Sequence, residues 1–393
     1  MSRPEPMRIV HVSHTSKAGG AELALARLLA SGPAWRAVVC AAPGGAVFAG
    51  PAAHGIAVHL DLPVLPGGGT RGRNLGLAAR YLAALRSAAR ALRASPALRG
   101  ADLLHANSAA AAIICALADR GRQRPLVVHL RDLVEVESLG RFGFEAFTRI
   151  ALPRADAVIA NSRTTLRSAE PYLGADVPRA VLQSPSGLVP RAAAPDVADR
   201  VRSVGLVARL QRWKGQHVFL EAFAHAFAGS EVRARLAGSA LFGPDAYEGE
   251  LRELAARLGI AGQVDFLGHV NDVTGLVDSL DVLVHASTRP EPLGQSVLQG
   301  LARARPVVAT EGGGPGEWIE PGVNGLLVPP DDAGALAAAL RSLAGSRDLR
   351  VRLAEGAART PGLLGDEACA EAHAAFFGTV RNVRDHGERR QAG

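Results

Sequence analysis

The sequence predicts an α/β protein made of two doubly wound parallel-sheet domains that face each other across a cleft. Short apolar runs alternate with longer Ala-, Leu- and Arg-rich segments in which apolar residues recur at helical spacing. This alternation stops in the stretch GLVPRAAAPDVADR and then starts again. We therefore expect an N-terminal domain over residues 1–187, a linker over 188–202, a C-terminal domain over 203–365, and a final helical segment, 366–393, that could cross back to the first domain.

Each predicted strand is a short apolar run bounded by polar or turn-forming residues, and helices fill the gaps between strands. In the first half the runs are Arg8 to Ser13, Ala37 to Ala41, Val58 to Leu60, Asp102 to Ala106, Leu126 to Leu130, Ala157 to Ala160 and Ala180 to Gln183. In the second half they are Ser203 to Val207, Arg233 to Ala237, Val264 to Leu267, Val282 to His285, Pro306 to Ala309 and Gly325 to Val328. Ligands of open parallel sheets bind beyond the carboxyl ends of the strands, so we expect the chemistry in the loops that follow them.

The composition excludes several classes of protein. The chain has 393 residues, of which 48% are hydrophobic and 21% charged, as in an ordinary globular protein. The longest nearly pure apolar run, Ala109 to Ala118, is about half the length that a bilayer crossing needs. The N-terminus, MSRPEPMRIVHV, lacks the features of a signal peptide, which predicts a cytoplasmic location. The three cysteines are far apart, and the +7 net charge comes from scattered arginines without interleaved aromatic residues, so neither a disulfide framework nor nucleic-acid binding is indicated.

In each half, the loop that follows the first strand carries basic or glycine residues that could bind a phosphate group. Of the 44 basic residues only Lys17 and Lys214 are lysines, and each lies near glycine in a strand-to-helix turn. Gly19 and Gly20 open the first helix, where free N–H groups could bind a phosphate; the alternative is a tight turn without a ligand. Arg209 and Lys214 could clamp a diphosphate without a metal; the alternative is solvated surface charge.

The block EPLGQSVLQG in the second half is the strongest signal. Glu291 precedes a helix whose start, at Leu293 and Gly294, could hold phosphate while the carboxylate accepts hydrogen bonds from sugar hydroxyls. Gln299 lies further along the same helix and could reach a ribose. The alternative is a capped surface helix.

The chain resembles the retaining glycosyltransferases of family 4, which have the GT-B fold of two Rossmann-like domains. The resemblance is carried, in order, by GGAE, DLLHANS, ARLQRWKG, FLGHVND, EPLGQSVLQG and PGVNGLLVPPDD. It implies that Arg209 and Lys214 bind the donor diphosphate and that Glu291 and Pro292 contact the donor sugar. It also implies that the turn from Gly268 to Val270 lies near the base.

Two positions depart from the family pattern. The family has Glu at both ends of a seven-residue gap, whereas the second position here is Gln299, whose amide can still hydrogen-bond ribose hydroxyls. The family also often places a histidine at the end of a first-domain strand, near the transferring sugar. That region reads LVVHLRD here, and strand alternation puts His129 and Arg131 on one face, so either could be the catalytic group. A buried structural role is the alternative for His129.

The resemblance implies transfer of a hexose-type sugar with retention. No DxD motif, the usual carboxylate pair for a divalent metal in the other large glycosyltransferase fold, is present, so we expect no metal. The resemblance implies a UDP-sugar donor, with a GDP-sugar next, and no cofactor. The rival functions are a nucleotide-sugar epimerase of the same fold and a degenerate protein that binds a nucleotide sugar without turnover. The sequence does not identify the acceptor, because the loops 65–76 and 134–147 fit a glycan, a lipid-linked molecule or a natural product. The helix Arg80 to Arg93 could also touch the inner face of a membrane, although packing on the sheet is favoured.

Overall fold

The computed structural model describes residues 5–66, 75–239 and 246–391 and divides into two compact units. Unit 1 comprises Met1–Gly187 and Asp366–Gly393, and unit 2 comprises Leu188–Gly365. The C-terminal segment therefore belongs to unit 1, and the stretch 188–202 belongs to unit 2.

Unit 1 is a parallel sheet of seven strands in the order β3-β2-β1-β4-β5-β6-β7. Its strands are β1 Arg8–Ser13, β2 Arg36–Ala41, β3 Ala57–His59, β4 Leu103–Ala106, β5 Leu126–Leu130, β6 Ala157–Ala160 and β7 Arg179–Val181. Its helices are α1 Gly20–Ala30, α2 Ala49–Ala53, α3 Leu75–Ala94, α4 Pro96–Arg99, α5 Ala109–Ala118, α6 Val136–Leu139, α7 Arg141–Ala146 and α8 Arg163–Ala169. A π-helical segment, Phe147–Ala151, and 3₁₀ turns at Leu152–Arg154 and Glu170–Tyr172 complete it.

Unit 2 repeats this arrangement with six parallel strands in the order β10-β9-β8-β11-β12-β13. Its strands are β8 Ser203–Val207, β9 Arg233–Ala237, β10 Val264–Gly268, β11 Val282–His285, β12 Val307–Thr310 and β13 Leu326–Val328. Its helices are α9 Gln216–Phe227, α10 Ala246–Arg257, α11 Val273–Asp278, α12 Gln295–Ala302, α13 Pro315–Trp318, α14 Ala333–Gly345 and α15 Arg347–Ala358, with 3₁₀ turns at Arg212–Lys214 and Ala261–Gln263. The last helix, α16 Asp366–Gln391, belongs to unit 1.

The predicted fold class, two parallel-sheet α/β domains, is confirmed. Every strand lies where an apolar run predicted it, with ends that differ by at most two residues. The largest difference is at β7, which ends at Val181 rather than at Gln183. The final helical segment predicted over 366–393 contains α16, which spans Asp366–Gln391.

Helices cover both faces of the unit 1 sheet. On one face, Leu85 and Leu92 of α3 and Ile113 of α5 pack in the core. On the other face, Leu25 of α1 and Phe377 of α16 pack against the strands. The apolar side of α3, which raised the question of membrane contact, is therefore covered by the sheet. No helix in the described ranges is both long and apolar enough to cross a membrane.

Some helices begin with a side-chain cap and others begin after a glycine without one, and this difference positions the candidate site. Side chains of Ser or Asp cap the first turns of α4, α5, α8, α11, α14 and α15, at Ser95, Ser108, Ser162, Asp272, Asp332 and Ser346. Each cap satisfies an otherwise unpartnered amide and contributes about 1 kcal/mol. By contrast, α1, α9 and α12 begin after Gly19, Gly215 and Gly294, with no side-chain cap.

Candidate active site

The residues that the sequence singled out in unit 2 lie at one edge of its sheet. The strand order reverses between β8 and β11, where a doubly wound sheet opens a crevice at the carboxyl ends of its strands. Arg209 lies two residues after the end of β8, and Lys214 ends the 3₁₀ turn that leads into α9. Glu291 lies in the loop between β11 and α12. The topology therefore brings the two predicted cations and the predicted sugar ligand to the same crevice.

Lys214 and Glu291 form an ion pair. Lys214 Nζ lies 2.7 Å from Glu291 Oε2, and both side chains are only 12% exposed. The Lys214 ammonium also lies 4.1 Å from the centre of the Trp213 ring, a cation–π contact. The loop that carries Lys214 is held against the segment that follows β11, because Thr288 N donates to Trp213 O at 2.8 Å.

Gly215 allows the loop that carries Lys214 to approach the backbone of Ala286 closely. Its φ of +70° lies in the left-handed region, and a Cβ built there would stand 1.8 Å from Ala286 O. No other residue type therefore fits between Lys214 and α9 without moving the backbone.

Two further polar residues contact the Glu291 carboxylate, and a third residue, Thr310, contacts both of them. His285 Nε2 lies 2.7 Å from Glu291 Oε2, and Ser287 Oγ donates to the same oxygen at 2.8 Å. Thr310, at the end of β12, lies 3.3 Å from His285 Nδ1 through its Oγ1. Burial by itself would raise the pKa of Glu291, but the Lys214 ammonium and His285 outweigh it and hold that pKa well below its usual range. Glu291 is therefore a carboxylate at neutral pH.

The backbone of Glu291 is held by the glycines that follow β12. Glu291 and Gly313 form a parallel bridge, and Gly314 N donates to Glu291 O at 2.8 Å. A Cβ on Gly313 would lie 2.1 Å from Glu291 O, and one on Gly314 would lie 2.6 Å from the backbone of Leu293. The GGG of the sequence thus provides a flat backbone support for the EPLG loop.

The remaining predicted donor residues of unit 2 lie along the same edge. Leu293 is buried, Pro292 is partly exposed, and Gly294, in the left-handed region at φ +75°, begins α12. Gln299 is 6% exposed in α12. On the other side of Arg209, Gly238 N donates to Gly268 O at 2.7 Å, while Gly238 packs on the backbone of Ala208.

This last contact places the Gly268 turn, with the partly exposed Val270 beyond it, next to the loop that carries Arg209. Arg209 itself is partly exposed, and its backbone oxygen accepts a hydrogen bond from Gln216 Nε2 at 2.8 Å. The residues of unit 2 that are predicted to bind the diphosphate, the sugar and the base therefore lie next to one another along the carboxyl ends of β10, β9, β8 and β11.

In unit 1, Arg131 lies just beyond the carboxyl end of β5. Its Nε and Nη2 donate to Asn107 Oδ1 at 3.1 and 2.8 Å, and its Nη1 donates to Ser184 Oγ at 2.6 Å. Burial lowers the pKa of Arg131 to about 10, against the attraction of Glu22 and Asp132. Arg131 therefore remains charged at neutral pH, and it is held by neutral side chains.

His129 lies inside unit 1, with no exposed surface. Its Nδ1 is 3.1 Å from His105 Nε2, and its ring centre is 5.6 Å from that of His373 in α16. Burial, followed by the nearby charge of Arg131, lowers its pKa well below the usual range. Of the two residues that the sequence could not separate, the structure places Arg131 at the carboxyl edge and His129 in the core.

The loop of Gly19 and Gly20 begins α1, beside the buried acid Glu22. Glu22 folds back over the loop, so that a Cβ on Gly19 would lie 2.4 Å from Glu22 Oε2. Burial raises the pKa of Glu22 to about 7, although hydrogen bonds to its own backbone and to Ser13 oppose this. Gly20 remains exposed at the start of the helix.

Sequence reasoning missed His285, Ser287, Thr310 and Glu22. The signal that could have found the first three is that polar residues end the apolar runs VLVHAS and VVAT, where parallel strands reach the ligand edge. Part of the predicted acceptor loop 65–76 lies outside the described residues. Within the described ranges, no three His, Cys, Asp or Glu side chains are grouped as metal ligands.

Comparison with known proteins shows what the chain resembles. Residues 18–182 match the family model Glycosyltransferase Family 4, and residues 201–346 match Glycosyl transferases group 1. The chain is 36% identical over 163 residues to lipopolysaccharide core biosynthesis glycosyltransferase LpsE of Rhizobium meliloti (strain 1021), which covers 41% of this chain and 44% of that protein. It is 28% identical over 307 residues to the lipopolysaccharide core biosynthesis mannosyltransferase LpsB of the same organism, covering 72% of this chain and 84% of that one.

Among solved structures, Anabaena Alr3699/HepE in complex with UDP matches with a TM-score of 0.77 and 28% identity, over 95% of this chain and 100% of that chain. The complex of the same protein with UDP-glucose gives the same values. The match to LpsE spans less than half of that relative, whereas the matches to LpsB and HepE span most or all of theirs.

Proposed function

Because this chain belongs to glycosyltransferase family 4, we propose that it moves a hexose-type sugar from a nucleotide diphosphate donor, preferably a UDP-sugar, to an acceptor hydroxyl, with retention and without a metal. The observation that carries the proposal is the pairing of Lys214 with Glu291 at the switch point of unit 2. A cation for the diphosphate and a carboxylate for the sugar hydroxyls are adjacent there, as a nucleotide sugar needs. The complexes of HepE with UDP and UDP-glucose favour uridine as the base.

The cations of unit 2 would supply the charge that a metal supplies elsewhere. As the sugar leaves, negative charge grows on the diphosphate, and groups fixed where that charge develops lower the barrier. Arg209 and Lys214 would do this, together with the amides at Leu293 and Gly294, where α12 begins without a side-chain cap. Lys214 would then exchange the Glu291 carboxylate for the diphosphate.

The nucleoside and sugar would bind on either side of these cations. Glu291 and Pro292 would contact the sugar, Gln299 the ribose, and the turn from Gly268 to Val270 the base. Gln299 suits a neutral contact, because its amide offers both a donor and an acceptor to ribose hydroxyls.

Unit 1 would contribute Arg131 and the glycine loop. Arg131 is charged, rigidly held and placed at the carboxyl edge of its sheet. It would act on the transferring group, with Gly19 and Gly20 letting substrate phosphate approach the start of α1. His129, buried among other histidines, would support the sheet behind Arg131 instead of touching substrate.

A panel of nucleotide sugars with EDTA present tests the proposal. A ligand that binds only the folded chain raises its unfolding temperature, so the true donor should protect selectively and be consumed slowly, releasing nucleotide diphosphate. Protection should disappear in Glu291→Ala and Lys214→Ala and persist in Arg257→Ala, which removes an exposed cation of unit 2 whose ion pair with Glu253 spans 4.0 Å.

Each alternative result has a distinct meaning. Protection without release of nucleotide diphosphate would indicate a binding protein, and isomerisation of the sugar while still attached to the nucleotide would indicate an epimerase. Protection that requires added Mg²⁺ would overturn the metal-free clamp. No protection by any nucleotide sugar would overturn the proposed function itself.

A further inference from the structure

The contacts beneath Glu291 have a defined direction. Thr310 Oγ1 donates its single proton to Ser287 O at 2.8 Å, and Ser287 Oγ donates its proton to Glu291 Oε2. An ionised carboxylate can only accept, so His285 must carry a proton on Nε2, which lies 2.7 Å from Glu291 Oε2. Its Nδ1 lies 3.3 Å from Thr310 Oγ1, whose proton is already donated to Ser287 O.

These contacts leave the two carboxylate oxygens unequal. Lys214 Nζ, His285 Nε2 and Ser287 Oγ all lie within 2.8 Å of Oε2. The other oxygen, Glu291 Oε1, accepts none of these three contacts in the described part of the chain. One oxygen is therefore fixed by the protein, and the other remains to accept from a ligand hydroxyl.

His285 and Lys214 differ in what else they can do. His285 is the last residue of β11 and is 5% exposed, with both ring nitrogens engaged by unit 2 side chains. Lys214 lies on a loop, and its ammonium is the one that the proposed donor diphosphate would attract. When Lys214 turns to the diphosphate, the Glu291 carboxylate loses its ion pair with the Lys214 ammonium. It keeps its contact with the His285 ring.

We propose that His285 is a positioning residue for the donor sugar: it holds Glu291 Oε2 so that Oε1 faces the sugar hydroxyls, and it keeps the carboxylate partnered when Lys214 binds the diphosphate. This inference rests on the proposed function. Without the His285 donor, one fixed hydrogen bond to Oε2 is lost, so the Glu291 carboxylate can rotate and Oε1 no longer stays directed at the sugar hydroxyls. The sugar part of the donor is then bound less well than the nucleotide part.

The test compares dissociation constants for UDP and for the UDP-sugar that protects the wild-type chain, by calorimetry on the full chain. His285→Gln keeps an N–H donor near the position of Nε2, whereas His285→Leu has similar bulk and no donor. The ratio of the UDP constant to the UDP-sugar constant should fall about tenfold or more in His285→Leu, the size of a lost hydrogen bond to a charged group. It should stay within about threefold of wild type in His285→Gln.

A merely structural role predicts a different pattern, in which both ligands weaken equally and Gln does not rescue. That result, or an unchanged ratio in His285→Leu, would overturn the inference while leaving the proposed function intact. If His285→Leu does not fold, Ser287→Ala serves instead: it removes the other fixed donor to Oε2, and the same ratio should fall, by less than in the leucine variant. Failure of the wild-type chain to bind any nucleotide sugar would count against the proposed function first.

Discussion

Lys214 Nζ lies 2.7 Å from Glu291 Oε2, although the two residues come from loops that follow different strands of unit 2. The pair links the group proposed to bind the diphosphate with the group proposed to bind the sugar. In the absence of a donor, each satisfies the charge of the other in a site where both are mostly buried. Donor binding would thus exchange the ion pair between Lys214 and Glu291 for a contact between Lys214 and the diphosphate. The charge of Lys214 would not be left without a partner.

We expect Lys214→Ala to lose donor binding and also to destabilise unit 2. Removing one partner of a largely buried ion pair leaves the other uncompensated, which costs about 1–3 kcal/mol when other donors remain, as His285 and Ser287 do here. Urea unfolding measures the stability and calorimetry with UDP measures the binding. Lys214→Arg, which keeps a positive charge, is the matched control and should retain more of both. Normal UDP affinity in Lys214→Ala would contradict the assignment of Lys214 to the diphosphate.

Gly215→Ala should be far more damaging than Gly229→Ala. Both glycines have positive φ, +70° and +76°, so both alanine variants carry the strain of the left-handed region, about 1–2 kcal/mol. Only at Gly215 would the added Cβ meet backbone, 1.8 Å from Ala286 O, while Gly229 faces open space. We therefore expect Gly215→Ala to displace the Lys214 loop and abolish UDP protection, and Gly229→Ala to lower stability only. Equal effects of the two variants on UDP binding would show that the close approach at Ala286 does not matter.

The fold could be predicted because each strand is a continuous apolar run and each loop interrupts it. Residues after the strand ends, such as Arg209 and Glu291, could be predicted for the same reason, since parallel strands deliver their following loops to one edge. For His285 the end of an apolar run indicates only the ligand edge of the sheet, because a polar residue in a buried strand gives no sign of which neighbour its side chain meets. Its partner Thr310 is supplied by β12, where His285 pairs with Ala309, a relationship that only the register reveals.

The choice between His129 and Arg131 shows another limit. Alternation places both on one face only while the strand continues, and β5 ends at Leu130. Beyond that point the backbone turns, and Asn107 and Ser184 hold Arg131 at the edge. His129 is buried by α16, which lies far away in sequence.

Gln299→Ala should weaken UDP and UDP-sugar alike. Gln299 is proposed to contact the ribose, which both ligands share, whereas Glu291 is proposed to contact only the sugar. Loss of one or two hydrogen bonds of about 1 kcal/mol each corresponds to a roughly 5- to 30-fold rise in both dissociation constants. Glu291→Gln, measured beside it, should weaken UDP-sugar more than UDP. Unchanged UDP affinity in Gln299→Ala would remove Gln299 from the nucleoside site.

A chain of buried histidines should make unit 1 sensitive to acid. Trp35 Nε1 donates to His11 Nε2 at 2.8 Å, so His11 carries its proton on Nδ1, which lies 2.9 Å from His105 Nδ1. His105 then donates through Nε2 to His129 Nδ1 at 3.1 Å. His373 of α16 packs on His129 and lies 2.7 Å from Cys369 O through its Nδ1. Because each of His11, His105 and His129 accepts one of these bonds through a ring nitrogen, these three rings are neutral.

Protonation of this chain is therefore disfavoured in the folded state. Burial, followed by the charge of His373, lowers the pKa of His11 to about 3. Burial also lowers the pKa of His373 to about 4; its bond to Cys369 O opposes this and the Arg131 guanidinium adds to it. The pKa values of His105 and His129 are well below the usual range for the same first reason, burial. As the pH falls below about 6.5, the unfolded chain binds protons that the folded chain does not, so stability present at neutral pH is lost, by up to about 1.4 kcal/mol per pH unit for each histidine.

Urea unfolding between pH 7 and pH 5, followed through Trp35 in a chain with Trp213→Phe and Trp318→Phe, measures this loss in unit 1. Trp35 is then the only tryptophan, and it lies in the histidine chain itself. His373→Leu removes one of the protons that only the unfolded state binds, so its stability should fall less steeply with acid. His54→Gln, at an exposed position, should keep the wild-type slope. If His373→Leu loses stability as steeply as wild type over this range, the acid sensitivity of unit 1 does not arise from the ring that α16 places against His129.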